Sequence, residues 1–491
     1  MQRLGFLDSL KTLKLLEFRF FSCFCVKTQT ASFFAISHER MRSRNAFKNL
    51  FPGQLGKSLE GKIPIPHHSG QKHRDVLYWH QRISGKVAGI MVIVEFFSKS
   101  PIDNMISTLV SRPETLVFVG DRKLMLQSDP VFRRFLAATG NTATQIVYQG
   151  VKSRDFWEIV DTLDQIAQEY PGCHFDITGG EPMILAAMGV IFERYRHRGI
   201  ELHQYNVRTG KVYDCDRNGI PAPVACPLLS VEQNILLHGG SVLPDGPRMP
   251  WPPEESFLPD LRALWEICKS NCSRWNSRIS MLGGLCSHSP ESPDPLLFHA
   301  DLSADRNGQA SLLLRQLKKA GLISEISRDG NRLCLRYKNA LVRQCLEKAG
   351  TVLELYTWAS ALSLRDRKSR PVYHDGQPSV SIDWDGIRHS KGNPETRNEI
   401  DVVLMHGVLP VFLSCKNGSV GEDELYKLNT VAERFGGRYV KKVLVATTLG
   451  KRTAKSRQYF LERAKDMEIT VLEGVHRLTE EDFQKQLNML I

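Results

Sequence analysis

The sequence lacks cysteines at the close spacing that is typical of metal and redox sites. Its 491 residues include 11 cysteines, and none has the C-x-x-C spacing of a zinc or redox site. Cys268 and Cys272 come nearest, but no second pair and no histidine stands at metal-ligand distance from them. Because disulfides are rare in reducing compartments, we interpret the cysteines as free thiols of a cytoplasmic protein.

A long uninterrupted apolar run is also missing. The most apolar stretch near the start, residues 13–36, is broken by Glu17, Arg19 and Lys27. Such a stretch is too charged to span a bilayer. A secretory signal would need a compact apolar core and a small-residue cleavage site, and nothing downstream has an extracellular character. The sequence therefore predicts no membrane partner.

Most of the net charge lies in the first 90 residues. The chain carries a formal charge of +12; residues 1–90 hold 15 Lys or Arg against 5 Asp or Glu, a net of +10, which leaves +2 for residues 91–491. Residues 1–90 are expected to be a poorly ordered basic extension. Met91, followed at once by the strand pattern VIVEFF, is the predicted functional start. A basic nucleic-acid-binding arm is the alternative.

The chain length predicts about three domains. After the extension at residues 1–90, the predicted domains comprise residues 91–225, 226–345 and 346–491. In the first domain, strand and helix patterns alternate, which predicts an α/β fold with a parallel sheet and helices on both faces. Ligands of such sheets bind at the carboxyl ends of the strands. The predicted strands are 92–97, 115–119, 144–148, 174–177 and 202–207, and the predicted helices are 101–111, 132–138, 155–169 and 182–198.

A glycine loop follows the fourth predicted strand. It reads Thr178-Gly179-Gly180-Glu181-Pro182-Met183. Two glycines allow a ligand to approach the backbone closely, and proline suits the first turn of the following helix. The free N–H groups at that helix start attract phosphate or another anion. A tight turn without a ligand is the alternative.

The middle of the chain is the least diagnostic. Residues 215–253 are predicted to form a last hairpin and a linker, 254–272 a helix and 283–295 a loop. A helix at residues 309–320 and a hairpin around Asp329-Gly330 together predict a winged-helix-like element, for which a spacer role is favoured over DNA binding. Its basic residues could contact a nucleic-acid backbone; they are Lys318, Lys319, Arg328 and Arg332.

A hairpin is predicted near the C-terminus. Residues 399–405 and 409–415 are rich in Val, Leu, Ile and Phe, and His406-Gly407 is the predicted turn pair. The expected register has Met405 opposite Val408. Asp401 would then lie across from Phe412, and Glu399 across from Ser414.

The alternation of a strand sends Asp401, Glu399, Ser414 and Lys416 to one face of this hairpin. Two carboxylates and an amine therefore converge. Cleavage of a phosphodiester at neutral pH calls for carboxylates that hold a divalent metal and for a cation near the developing charge. A solvated, inert face is the alternative.

The elements around this hairpin form an α-β-β-β-α-β series. A helix at residues 350–358 carries Glu354; after it come a strand at 379–384, the hairpin, a helix at 422–435 and a strand at 439–446. A further helix at 452–465 and a final strand at 469–472 follow this series. With Asp401 before the hairpin and Ser414-Cys415-Lys416 after it, this region resembles the PD-(D/E)xK nucleases, which have the restriction-endonuclease-like fold. Ser414 stands where that pattern usually has an acid.

This resemblance implies a metal-dependent nuclease with Glu354, Asp401, Ser414 and Lys416 as catalytic residues. Asp401 with Glu354 or Glu399 would hold Mg²⁺ or Mn²⁺, and the Cys415 carbonyl would complete the shell. Lys416 would orient water or stabilise the transition state. A serine hydroxyl is a weaker ligand than a carboxylate, so another acid must compensate for Ser414.

The glycine loop carries a second resemblance. FDITGGEPM, together with the upstream segment FFSKSPIDN, resembles the CARF domain, the Rossmann-like sensor of CRISPR-associated proteins. Joined to a PD-(D/E)xK domain, it resembles the ancillary nucleases of type III antiviral CRISPR defence. The resemblance implies a homodimer that binds a cyclic oligoadenylate, with cyclic tetra-adenylate favoured. The implied ligand contacts are Ser98, Lys99, Ser100, Thr178, Gly179, Gly180, Glu181 and Met183.

The resemblance leaves the substrate open between DNA and RNA, because the implied catalytic groups act on the phosphate and none of them senses the 2′-hydroxyl. Two other functions also stay open. One is a messenger-binding protein with an inactive nuclease domain, of which Ser414 would be the sign. The other is a winged-helix transcription regulator with a CARF sensor.

Overall fold

The computed structural model describes residues 91–152, 154–215, 226–244, 252–288, 292–387 and 396–491, and the backbone alone of 221–223. These residues all belong to one compact unit, Ser69–Ile491. The predictions made for residues 1–90 concern a part of the chain outside the described residues.

The first sheet has seven strands in the order β3-β2-β1-β4-β5-β6-β7. Its parallel strands are β1 (Val92–Phe96), β2 (Thr115–Gly120), β3 (Gln145–Gly150), β4 (His174–Asp176) and β5 (Glu201–Asn206). The antiparallel strands β6 (Lys211–Asp214) and β7 (Pro221–Pro223) extend one edge. Every residue of β1 and β2 is buried, as expected of strands covered on both faces.

Four helices cover this sheet: α1 (Ile106–Ser111), α2 (Arg122–Ala138), α3 (Phe156–Glu169) and α4 (Pro182–Tyr195). Ile93 packs in one core with Phe135 of α2, and Val94 packs in another with Leu163 of α3, so helices lie on both faces. The predicted start of the second helix at residue 132 is wrong. Asp121 accepts the N–H of Leu124 and caps α2 ten residues earlier, so Pro130 lies inside the helix.

A second, four-stranded sheet has the order β11-β12-β10-β9. The middle of the chain contains α5 (Val231–Leu237), β8 (Ser241–Val242), α6 (Phe257–Ser270), α7 (Trp275–Leu285), β9 (Cys286–His288), β10 (Leu297–Asp301), α8 (Gln309–Lys319), β11 (Ile323–Asp329), β12 (Arg332–Tyr337) and α9 (Ala340–Glu347). The predicted hairpin is present, with Asp329 paired to Arg332. The predicted loop at 283–295 is wrong over residues 283–288, because α7 continues to Leu285 and β9 pairs with β10 directly after it.

The third sheet has six strands in the order β17-β16-β15-β14-β13-β8. Its elements are α10 (Thr351–Leu362), β13 (Asp375–Asp383), β14 (Arg397–His406), β15 (Leu409–Lys416), α11 (Asp423–Gly436), β16 (Lys441–Ala446), α12 (Ala454–Asp466), β17 (Ile469–Glu473) and α13 (Glu480–Asn488). The predicted α-β-β-β-α-β order is confirmed. Two features were not predicted: α13, and the edge strand β8, which pairs with β13 from the segment expected to be a linker.

The hairpin of β14 and β15 turns one residue later than predicted. His406 pairs with Leu409, so the loop is Gly407-Val408, and Gly407 has the left-handed φ of 64° that its first loop position requires. The predicted register is therefore wrong by two residues; the ladder ends at Val402 opposite Leu413, and its continuation by one residue brings Ser414 opposite Asp401. An even shift leaves each side chain on its predicted face.

Helix α5 joins the first and third sheets. The side chain of Gln233 donates to the carbonyl of Ala138 at the end of α2 (2.9 Å), and that of Asn234 donates to the carbonyl of Phe435 on α11 (2.8 Å). One apolar core contains residues of both sheets, among them Phe118 and Phe412. The two sheets therefore belong to one packed body.

None of the helices in the described part of the chain is both long enough and apolar enough to cross a membrane.

Candidate active site

The carboxylate of Asp401 gathers three donors at the open end of the hairpin. Its Oδ2 atom accepts the Cys415 backbone N–H at 2.6 Å, the Lys416 ammonium at 3.1 Å and the Ser414 hydroxyl at 3.2 Å. β15 supplies all three donors, and period 2 turns the Ser414 and Lys416 side chains to the same face. The structure therefore brings the predicted site residues Asp401, Ser414 and Lys416 together.

The strands open around Asp401. The β14–β15 pairing stops at Val402 opposite Leu413, and the β13–β14 register puts Ser379 on the other side of Asp401. Ser379 has a φ of 50°, a left-handed conformation that is strained for a residue with a Cβ atom. Its hydroxyl donates to Glu354 Oε2 at 3.1 Å. Ser379, which lies opposite Asp401 in the sheet, therefore holds the carboxylate of Glu354.

Glu354 reaches the site from the first turn of α10. Burial, followed by the negative charges of Asp401 and Glu399, raises its pKa to about 7, against the opposing effects of Ser379 and Lys416. A Cβ atom on Gly350 would stand 2.7 Å from Glu354 Oε1, so the glycine leaves room for this carboxylate. The three predicted acids therefore lie close enough to repel one another.

Lys416 carries its charge at neutral pH. Burial opposes the charged form, but the carboxylates of Asp401 and Glu424 outweigh it and raise the pKa of Lys416. Glu424 Oε2 lies 3.4 Å from the Lys416 ammonium, and Glu424 Oε1 lies 3.1 Å from that of Lys427. A protonated Lys416 suits charge stabilisation and does not suit general-base work.

Glu424 is the residue that sequence reasoning missed. It lies in the first turn of α11, where an acid ordinarily compensates the helix dipole, and this ordinary role hides its contact with the site. The only signal was its place in the helix directly after the hairpin. Glu424 lines a cavity of about 550 Å³, whose lining also includes Asn398, Glu399, Asp401, Ser414, Lys416, Tyr426 and Lys427.

Cys415 contributes its backbone N–H to the site. Its thiol is buried on the opposite face, and burial, followed by the charge of Asp401, raises the pKa of this thiol far above its usual value. The group that contacts Asp401 is the N–H, and the predicted role of the Cys415 carbonyl as a metal ligand stays a prediction.

The oxygen donors of these acids are of the kind that hard divalent cations prefer. Within the described residues, no group of three or more His, Cys, Asp and Glu side chains is arranged to hold a metal ion. Asp401 and Glu354 nevertheless offer carboxylate oxygens, and a cation would relieve their mutual repulsion, which adds to the effect of burial in raising the pKa of Glu354. Mg²⁺ is commonly held by one or two carboxylates and keeps several waters.

The glycine loop packs tightly against the end of β1. Gly180 has a φ of 107°, and a Cβ atom there would stand 2.6 Å from Phe96 Cβ. A Cβ atom on Gly179 would stand 3.0 Å from Ser98 Cβ. The two predicted ligand-binding segments, residues 98–100 and 178–183, therefore lie side by side at the carboxyl edge of the sheet.

Thr178 makes hydrogen bonds to residues of the first sheet. Its N–H donates to Asp176 at 2.7 Å, its hydroxyl also donates to Asp176, and the same hydroxyl accepts the N–H of Tyr205 at 2.7 Å. Asp176 is fully buried beside Glu95, and burial, followed by the charge of Asp176, raises the pKa of Glu95 far above its usual value. Glu181 and Met183, by contrast, are exposed at the start of α4.

Residues 98–100 also face α11. Ser98 is held by Asn104, whose side-chain oxygen accepts the Ser98 N–H at 2.7 Å. A cavity of about 480 Å³ separates this segment from the end of α11, and its lining includes Ser98, Lys99, Ser100, His238, Arg434 and Arg438. Across it, Arg438 pairs with the buried Asp103 at 3.1 Å. The sequence did not predict this contact between the region of the first sheet and the end of α11.

No protein-family model and no curated protein matches the chain. Among solved structures, protein VC1899 from Vibrio cholerae aligns at 17% identity and a TM-score of 0.60, over 81% of this chain and 97% of that one. Can2 from Sulfobacillus thermosulfidooxidans, in complex with cyclic tetra-adenylate, aligns at 16% and a TM-score of 0.55, over 81% and 97%. The predicted α/β fold class is confirmed, and the chain shares the fold of VC1899 and Can2.

Proposed function

We propose that the protein is a metal-dependent endonuclease of antiviral CRISPR defence that a cyclic oligoadenylate activates. The observation that carries the proposal is the convergence of Asp401, Ser414 and Lys416, with Glu354 behind them, at the edge of one cavity. The order of acid, hairpin and lysine is that of the PD-(D/E)xK nucleases. Can2, which shares the fold, was solved with cyclic tetra-adenylate bound.

Each side chain has a chemical role in this proposal. Asp401 and Glu354 would hold Mg²⁺ or Mn²⁺, with Glu399 as a further acid, and the ion would supply Lewis-acid activation of the phosphodiester and its water. Lys416, kept protonated by its two carboxylates, stabilises the charge that develops on the phosphate. Ser414 and the Cys415 N–H fix the orientation of Asp401.

The proposed activator site lies at the glycine loop. Thr178, Gly179, Gly180, Glu181 and Met183 would contact cyclic tetra-adenylate together with Ser98, Lys99 and Ser100. The close packing of the two segments and the N–H groups at the start of α4 support this assignment. A cyclic ligand with twofold symmetry fits an isologous homodimer in which each protomer supplies one loop.

Helix α11 is the proposed link between activator and active site. Its first turn holds Glu424 beside Lys416, and the turn after its last residue holds Arg438 against Asp103, three residues after the predicted ligand contact Ser100. A ligand shifts an equilibrium only when it prefers one arrangement. Cyclic oligoadenylate would therefore have to favour the position of residues 98–104 in which the active site is aligned.

A cleavage assay tests the function. Purified protein is incubated with Mg²⁺ or Mn²⁺, with and without cyclic tetra-adenylate, against supercoiled DNA, single-stranded DNA and RNA. We expect strand scission that requires both the metal and the activator. Scission that is indifferent to the activator would remove the sensor assignment, and the absence of scission from all three substrates would remove the enzyme assignment.

Ser414 favours one second candidate, a messenger-binding protein whose nuclease site is inactive. In that case Ser414→Glu, which restores the usual acid, would create metal-dependent cleavage where the wild-type protein has none. A winged-helix regulator would instead bind duplex DNA sequence-specifically without scission. Two of the basic residues considered for that role, Lys318 and Arg328, are paired with Glu325 at 2.9 and 3.0 Å, which favours the spacer role.

A further inference from the structure

Two exposed tyrosines lie on the helices next to the active-site cavity. Tyr426 of α11 is 44% exposed and Tyr459 of α12 is 56% exposed. Each ring has a cation over it: the Arg463 guanidinium lies 5.8 Å from the Tyr426 ring centroid, and the Lys455 ammonium lies 5.7 Å from that of Tyr459. Single exposed aromatic side chains are normal on a protein surface, but a contiguous group of them can mark a binding surface.

The α12 residues of this surface form one stripe. Lys455, Tyr459 and Arg463 follow one another at intervals of four, which places them along a single side of the helix, while Phe460 and Ala464 are buried on the other side. From Lys455 to Arg463 the stripe therefore extends roughly 12 Å along the helix axis.

The stripe ends at the cavity. Arg463 Nη1 donates to the hydroxyl of Tyr426. Tyr426, together with Asp401 and Lys416, lines the 550 Å³ cavity. We name Lys455, Tyr459, Arg463 and Tyr426 the tyrosine stripe. It forms a continuous path of alternating cations and rings from solvent to the candidate active site.

We propose that the tyrosine stripe binds a single-stranded nucleic acid and guides it into the cavity. Aromatic rings stack on bases of any sequence, and interleaved cations neutralise the phosphates. Bases in a duplex are already stacked on each other, so only an unpaired strand can lay its bases on Tyr426 and Tyr459. The inference rests on the proposed nuclease function and adds to it a surface for the substrate.

Oligonucleotide binding to the full-length protein tests the stripe separately from cleavage. Fluorescence anisotropy is measured with a labelled single strand and with the matching duplex, in EDTA and with cyclic tetra-adenylate. The variants are Tyr426→Ala/Tyr459→Ala, Tyr459→Ala alone, and Tyr426→Phe/Tyr459→Phe. The control is Trp157→Ala, which removes a 64% exposed ring on α3, a helix that covers the first sheet and is remote from the tyrosine stripe in sequence. Thermal unfolding checks the fold of each variant.

The double alanine variant should raise the Kd for the single strand at least about ten-fold, since stacking is worth about 1–3 kcal/mol per base. Tyr459→Ala should raise it less, and the phenylalanine variant and Trp157→Ala should leave it unchanged. An unchanged Kd in the double alanine variant, an equal loss with phenylalanine, or an equal loss for the duplex would overturn the proposal. Ring-dependent binding without any cleavage would support the stripe and refute the nuclease function.

Discussion

Arg438 and Asp103 form an ion pair between the region of the first sheet and the region of the third. Arg438 Nη1 lies 3.1 Å from Asp103 Oδ2, and the Asp103 carboxylate has no exposed surface, whereas the Arg438 side chain is 63% exposed. Burial raises the pKa of Asp103, while Tyr439 and Arg438 act to lower it. The pair therefore compensates a buried carboxylate at the turn that follows the predicted activator contacts.

Removal of Arg438 should destabilise the protein. Arg438→Met leaves the Asp103 carboxylate with one fewer donor, and we expect the free energy of unfolding to fall by about 1–3 kcal/mol. Asp103→Asn in the same background should recover part of this loss, because a neutral amide does not require a cation. Urea unfolding of the four proteins of this double-mutant cycle measures the coupling, and strictly additive effects would contradict it.

Loss of Asp401 or Lys416 should abolish cleavage and spare activator binding. Asp401→Ala removes the proposed ligand of the metal, and Lys416→Ala removes the cation beside the phosphate. Each should lower the rate by roughly 100-fold or more. Calorimetry with cyclic tetra-adenylate should give the wild-type affinity, since the glycine loop lies on another sheet. The matched control Lys441→Ala changes an exposed lysine of β16, and full cleavage by both active-site variants would refute the assignment.

The stability of the metal-free protein should fall as the pH rises through 7. The pKa of Glu354 is raised from its usual 4.5 to about 7, so the folded state binds a proton that the unfolded chain releases. The stabilisation is complete below pH 4.5 and is lost as the pH rises through 7, a change of about 3 kcal/mol. Urea unfolding in EDTA at pH 5 to 8 measures it.

Two comparisons sharpen this pH prediction. Glu354→Gln should flatten the dependence of the unfolding free energy on pH, because the amide does not titrate. Added Mg²⁺ should also reduce it in the wild-type protein, since a bound cation competes with the proton, and should have little effect in Glu354→Gln. A wild-type slope equal to that of Glu354→Gln would show that Glu354 titrates normally.

Gly180 should tolerate no side chain. Gly180→Ala forces a Cβ atom into a left-handed backbone position, 2.6 Å from Phe96 Cβ, and should destabilise the protein by about 1–3 kcal/mol and weaken cyclic tetra-adenylate binding. Gly189→Ala is the matched control. Gly189 lies within α4 with nothing near its added Cβ, so alanine should stabilise the helix by about 0.5–1 kcal/mol. Equal melting temperatures for the two variants would contradict the argument.

The sequence by itself determined the order of elements and the faces of the strands. Strand alternation put Asp401 and Lys416 on one face of the hairpin, and this held although the predicted turn was one residue early, since a register error of two residues preserves the face. The glycine loop was likewise predictable, because a left-handed position such as that of Gly180 favours glycine.

The tertiary structure alone decided which distant groups meet. Glu354 reaches Ser379, which lies opposite Asp401 in the sheet. Glu424 reaches Lys416 from the next helix, and Arg438 reaches Asp103 across 335 positions of the chain. Local periodicity reports which side of its own element a residue occupies. It carries no information about the element packed against that side, so the electrostatics of the site and the contact between the first-sheet and third-sheet regions had to come from the packing.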